Sequence, residues 1–264
     1  MTARDGTAVF APNRTVSPAA MKILIGVQAV VALLLWVFSP FKVLPRPLEV
    51  VTALKELWLT QGLGPELFTS LRLNLTALTL SLLISLGLAY LTVVPFFRPI
   101  VAVISKLRFL SLTGLTLVFT LLVGGGFPLK VSLLTFGMTV FFVTSMAAVV
   151  AEIPRDQFDY ARTLRMSEWR VVGEVVVLGT VDKAVEALRQ NAAIGWMMLT
   201  MVEGISRSEG GLGALLLNLN KHLDLPKVFA IQLFILGVGI LQDYAIGGLG
   251  RLVAPHAVLA RERR

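Results

Sequence analysis

Runs of about twenty apolar residues recur along this chain, separated by short polar stretches. A helix of that length crosses the roughly 30 Å hydrocarbon core of a bilayer. Lipid offers no hydrogen-bond partner, so each span has to satisfy its own backbone, and a helix does so. Six spans are predicted, at 21–38, 67–94, 99–123, 128–151, 183–205 and 228–249. The third and fifth are the least apolar, with Lys106, Arg108, Arg189, Gln190 and Asn191 near their starts. The expected fold class is all-α, a polytopic membrane protein with about six transmembrane helices.

Charge supports this reading. Only 15% of the residues are charged, against roughly 25% in soluble domains. The formal net charge is +8 and the isoelectric point about 10.2. In a soluble chain that balance would raise nucleic acid as a partner. Here no basic stripe interleaves with aromatics, so no nucleic-acid partner is expected. Basic residues collect instead in the cytoplasmic loops of membrane proteins. With the N-terminus inside, sixteen of the 24 Lys and Arg fall on the inside or at its interface: in the first tail and at Lys22 just after it, in the 95–108 and 152–189 regions and at the C-terminal end. Both termini are therefore expected in the cytoplasm.

Residues 1–20 are polar and carry Pro12 and Pro18, which reads as a disordered tail. No small-residue cleavage site comes after the first apolar run, since Ser39-Pro40-Phe41-Lys42 is a poor one, so that run is read as a retained span. Residues 21–251 form the membrane domain, and 252–264 a second cytoplasmic tail. Cysteine is absent, which excludes disulfides and thiolate metal sites.

Two outside loops carry local patterns. Leu48, Val51, Leu54, Leu57 and Trp58 recur at helical spacing, which predicts a helix lying flat on the outer interface. Gly210-Gly211-Leu212-Gly213 predicts a turn, followed by a short helix over 214–220.

One cytoplasmic segment is long, from Glu152 to Asp182. Pro154 suits a first helical turn. Asp156 and Asp159 suit the positive end of a helix dipole. Phe158, Ala161, Arg162 and Arg165 come next at helical spacing, and Ser167 can cap a second helix through Trp169. The pattern predicts a helix–turn–helix with Phe158, Tyr160, Leu164 and Trp169 available to dock. It fits equally an amphipathic connector on the inner leaflet.

Segment 152–178 resembles the EAA loop of ABC importer permeases, in which E-A-A, a Gly three residues on and a later L-P succeed one another. Asp159-Tyr160-Ala161 stands in the EAA place, and Arg162-Thr163-Leu164 matches the family's usual residues after it. Leu44-Pro45-Arg46-Pro47-Leu48-Glu49-Val50 is similar to the LPSP-x-x-V start of the nitrate/sulfonate/taurine group. Glu203 with Gly210-Gly211-Leu212-Gly213 resembles that group's A-E…S-G-L-G stretch. Asp224-Leu225, Val228-Phe229-Ala230 and Asp243 fit its last span. Two positions depart from the pattern: Arg165 stands where the family has Gly, and Leu178 where it has Pro. That Gly permits a left-handed turn, which costs another residue roughly 1 kcal/mol.

The resemblance implies a type I ABC importer permease fold in a bacterial inner membrane. It implies a translocation pathway for a small polar or anionic solute, built by two permease copies. It implies a coupling helix over 155–164, with Arg155, Phe158, Asp159, Tyr160, Ala161, Leu164 and Arg165 meeting a cytoplasmic ABC ATPase. A periplasmic substrate-binding protein would deliver the solute. The chain has no G-x-x-x-x-G-K-[ST] loop, so ATP and Mg would sit on the partner and no cofactor is expected here.

Other candidates are polar residues within spans. Gln190, Asn191, Trp196, Thr200 and Glu203 could line a pathway or hydrogen-bond between helices. His222 and His256 have no zinc-type context, and no acid, base and nucleophile recur at usable spacing, so no catalytic or metal site and no enzymatic activity are expected. The alternative function is a non-transporting membrane scaffold on the same fold.

Overall fold

The computed structural model describes residues 17–41, 43–206 and 209–253. Residues 1–16 and 254–264, which hold most of the two expected tails and His256, lie outside the described residues. The described residues form helices and no strand. The first helix, α1 (Pro18–Val37), starts three residues before the expected span; Ser17 caps it by accepting from the Ala20 N–H. Next come α2 (Pro47–Thr60) and α3 (Leu63–Leu91). After a 3-10 turn over Pro95–Phe97, α4 (Arg98–Lys106) and α5 (Leu112–Val123) form a pair bent by 115°. The long helix α6 (Phe127–Ala151) leads into two short ones, α7 (Arg155–Thr163) and α8 (Glu168–Val171). A π-helical stretch over Val172–Val177 and a 3-10 turn over Leu178–Thr180 lead into α9 (Val181–Ile205). The chain continues through α10 (Leu212–Lys221) and α11 (Leu225–Val253).

Six spans were expected, and length and composition support fewer. Among the described residues four helices, α1, α3, α6 and α11, are long and apolar enough to cross a membrane, or five spans if the bent α4–α5 pair counts as one. The expected third span is that bent pair. The expected fifth is α9, whose 25 residues would reach roughly 37 Å. Its charged and amide residues make it too polar to qualify, and two of them, Asn191 and Glu203, are buried and hydrogen-bonded inside the bundle.

Burial ranks the helices. In α6, 61% of the apolar window is buried, against 39% in α3, 11% in α11 and 6% in α1, so α6 is the central post. Around it α3, α9, α10 and α11 share one apolar core that includes Leu73, Leu134, Trp196, Leu212 and Ile231. Helix α1 stands apart with its large apolar side chains exposed, and its Trp36 indole donates to Pro45 O at 2.9 Å.

The expected interfacial helix exists as α2, but its buried face differs. Val50, Ala53 and Leu57 pack against the bundle, while Leu48, Val51 and Trp58 are exposed. Helical spacing alone did not separate these two apolar stripes. Lys227, at the start of α11, holds α2 in place through Glu56 at 2.8 Å.

Candidate functional site

Three polar places stand out on the α3–α6–α9–α11 bundle: one at each end and one inside.

The first lies where α3 and α6 begin and α9 ends. Glu203 is fully buried there. Its Oε1 accepts from the Ser70 hydroxyl at 2.6 Å, and its Oε2 accepts from the Gly213 N–H at 2.8 Å. Ser70 in turn accepts from the Leu212 N–H at 2.8 Å. Glu66 accepts from the Gly211 N–H, and the buried Lys130 ammonium donates to Gly210 O at 3.0 Å. Four side chains from three helices thus hold the Gly-Gly-Leu-Gly turn. The expected turn and following helix are present, with α10 starting at Leu212. Of this network the sequence pointed to Glu203 and the glycines. Lys130 was a missed signal, a lone cation in the apolar run of α6.

The second place is inside the bundle. The Gln242 Oε1 on α11 accepts from the Trp196 indole at 2.7 Å and from Asn74 Nδ2 at 2.9 Å. Asn191 donates to Met138 O at 3.1 Å. Asn74 Oδ1, Asn191 Oδ1, Thr135 Oγ1, Thr139 Oγ1 and Gln242 Nε2 are buried and have no partner among the described residues. Buried polar groups are usually paired, and an unpaired one costs about 1–3 kcal/mol. Of the predicted pathway residues, Trp196 and Asn191 face this interior and Glu203 faces the first network. Gln190 is not among the residues buried in this interior, and Thr200 is spent on its own helix, donating to Met197 O at 3.0 Å. Asn74 and Gln242 were not foreseen, because neither has a sequence neighbour that marks it. Below them, Arg189 grips Asp243 with two hydrogen bonds of 2.8 and 2.6 Å.

The third place is the α7–α8 hairpin at the opposite end. Pro154 directly precedes α7, which runs to Thr163 with Leu164 as its cap. Arg165 takes φ +56°, so the left-handed turn forms without glycine. Its N–H donates to Arg162 O at 2.9 Å. Ser167 precedes α8 as expected, with no side-chain cap bond. Arg162 staples the hairpin. It donates twice to Glu168, at 3.0 and 3.1 Å, and once to Asp159 at 3.1 Å. These bonds and the guanidinium charge hold the Glu168 carboxyl below its usual range. Tyr160, Leu164 and Trp169 are exposed, at 69, 55 and 74%. Ala161 is buried, and Phe158 is half-buried and lines a cleft between α7 and the bundle. Phe158 therefore belongs to the inner face of the hairpin, not to the set pointing away from the membrane helices.

No protein-family model and no curated protein matches the chain by sequence. Its fold does have a match. A solved structure of the MetNI methionine ABC transporter, in an inward-facing conformation, superposes with a TM-score of 0.57 at 18% identity. The match covers 75% of this chain and 98% of that one. Likeness at that identity concerns the fold, and the fold of this chain is that of an ABC importer permease.

Proposed function

We propose that this chain is the membrane-spanning permease subunit of a bacterial ABC importer. The observation that carries this reading is the α7–α8 hairpin. It sits between the end of α6 and the start of α9 on a permease fold, with Tyr160, Leu164 and Trp169 exposed. Such a surface suits a cytoplasmic ATPase, which would hold the ATP and Mg. A periplasmic binding protein would deliver solute at the opposite end, near the Gly-Gly-Leu-Gly turn. A second copy of the chain would complete the pathway. The motif resemblance suggests a nitrate, sulfonate or taurine type of solute, small and polar or anionic. The unpaired amide and hydroxyl atoms around Asn74, Asn191 and Gln242 are chemically suited to exchange with such a solute's hydration shell. The hairpin side is assigned to the cytoplasm by the distribution of Lys and Arg. Alternation between two bundle states driven by the ATPase would move the solute.

The test is co-purification. The solubilised chain should recover an ABC ATPase from its native membrane. Tyr160→Asp with Leu164→Asp should abolish that recovery while membrane insertion persists. Unchanged recovery in the double variant sinks the docking assignment. Recovery of the ATPase without solute uptake in vesicles favours the scaffold role. A periplasm-active reporter fused after Arg264 should stay silent, and activity there would invert the orientation.

A further inference from the structure

We propose that the cleft between α7 and the ends of α3 and α6 binds the phosphate of an anionic phospholipid through Arg98 and Arg155. The cleft measures about 840 Å³. It is bounded by Thr92 and Val93, just past the last residue of α3, and by Val150 and Ala151, which end α6. Both helices are long and apolar enough to span a membrane. At 29 and 25 residues they would outreach a roughly 30 Å hydrocarbon core, which puts a cleft at their ends at headgroup depth.

Its charges do not cancel. Three arginines and two acids line it. Both acids are engaged by Arg162, through two bonds to Glu168 and one to Asp159. The Arg155 side chain has no hydrogen bond or ion pair among the described residues, and the Arg98 side chain uses only its Nε, donating to Thr92 O at 2.9 Å. Both arginines therefore line one space, and their terminal nitrogens have no partner among the described residues. Guanidinium forks fit phosphate oxygens bidentately. Apart from Thr92, the rest of the lining, including Phe158 and Val171, is apolar. A site that is cationic and greasy at once favours an amphipathic anion. The volume also falls in the range of a drug-sized ligand and leaves a bare phosphate with few neighbours. The ligand would pack behind the hairpin and fix the distance of α7 from the bundle, whether or not the chain transports a solute.

The phosphate could come from a lipid headgroup or from free anion, and the experiment separates them. The full chain is solubilised and titrated with phosphatidylglycerol, phosphatidylcholine or inorganic phosphate, with binding read by native mass spectrometry. One phosphatidylglycerol per chain should be retained in preference to phosphatidylcholine. Arg98→Gln or Arg155→Gln should each weaken it about fivefold, and the pair about 25-fold. Lys55→Gln with Lys221→Gln, the same change of charge elsewhere, should leave it unaltered. Equal retention in the Arg98/Arg155 double variant overturns the site. Binding of inorganic phosphate in place of the lipid overturns the lipid assignment. Should the double variant fail to fold, hydrogen exchange on the unaltered chain decides. Phosphatidylglycerol should slow exchange over 153–163 more than phosphatidylcholine does, and no difference overturns the proposal.

Discussion

Ser70 and Glu203 are 133 positions apart in sequence, and the Ser70 hydroxyl donates to Glu203 Oε1 at 2.6 Å in a fully buried site. That bond joins the start of α3 to the end of α9. The same carboxylate receives the Gly213 N–H, so one side chain ties two helices and the first turn of α10. Removing it leaves the Ser70 O–H donor and the Gly213 N–H without an acceptor in the interior. Glu203→Ala should lower stability by about 3 kcal/mol, for two buried donors left without an acceptor. Glu203→Gln keeps one acceptor and should lose roughly half of that. Thermal unfolding of the solubilised chain checks the order; equal midpoints for both variants and the native chain would remove the network from the fold's support.

Gly213 tests the same place by volume. A Cβ there would lie 2.4 Å from Thr200 O and 2.6 Å from Thr200 Cα, and backbone cannot step aside as a flexible side chain can. Gly213→Ala should cost about 3 kcal/mol or more, as overpacking against rigid atoms does. Gly173→Ala meets nothing within 4 Å and serves as the control. Expression level and midpoint of unfolding should fall for the first and hold for the second.

Arg165→Gly should stabilise the hairpin by about 1 kcal/mol. Its φ of +56° is left-handed, where a Cβ is crowded and glycine is not. Hydrogen exchange over 155–171 should slow in the variant. Faster exchange would mean that the arginine side chain contributes more to the turn than its backbone costs.

The Arg162–Glu168 pair sets an acid limit on that hairpin. The folded-state pKa of Glu168 is lowered by Arg162. Its contribution is therefore fully present above the unfolded value, about 4.3, and is lost as pH falls through the lower folded value. Exchange of the 155–171 amides should be flat from about pH 5 to 8, after correction for intrinsic rates, and should rise in acid. Arg162→Ala should remove the acid step. Both partners are solvent-exposed, so salt at about 1 M should weaken the native step as well.

Some of this was legible from order alone. The apolar runs of α1, α3, α6 and α11 read as spans because lipid demands about twenty apolar residues in succession, which is a local property. The hairpin and its Ser167 break were also local, since caps and turns depend on a few adjacent residues; the left-handed position at Arg165 came from the motif resemblance. The tertiary structure decided what depended on distant partners. Helix α9 is polar by composition, yet Asn191, Trp196 and Glu203 find their partners on α6, α11, α3 and the first turn of α10. Which stripe of α2 is buried was settled by where α11 passes, not by spacing. Lys130 and Gln242 became meaningful only when Gly210 and Asn74 came within reach. The physical reason is the same throughout. Hydropathy sums along the chain and can be read there, whereas a buried polar group is tolerated only by a particular neighbour, and neighbours are chosen by packing.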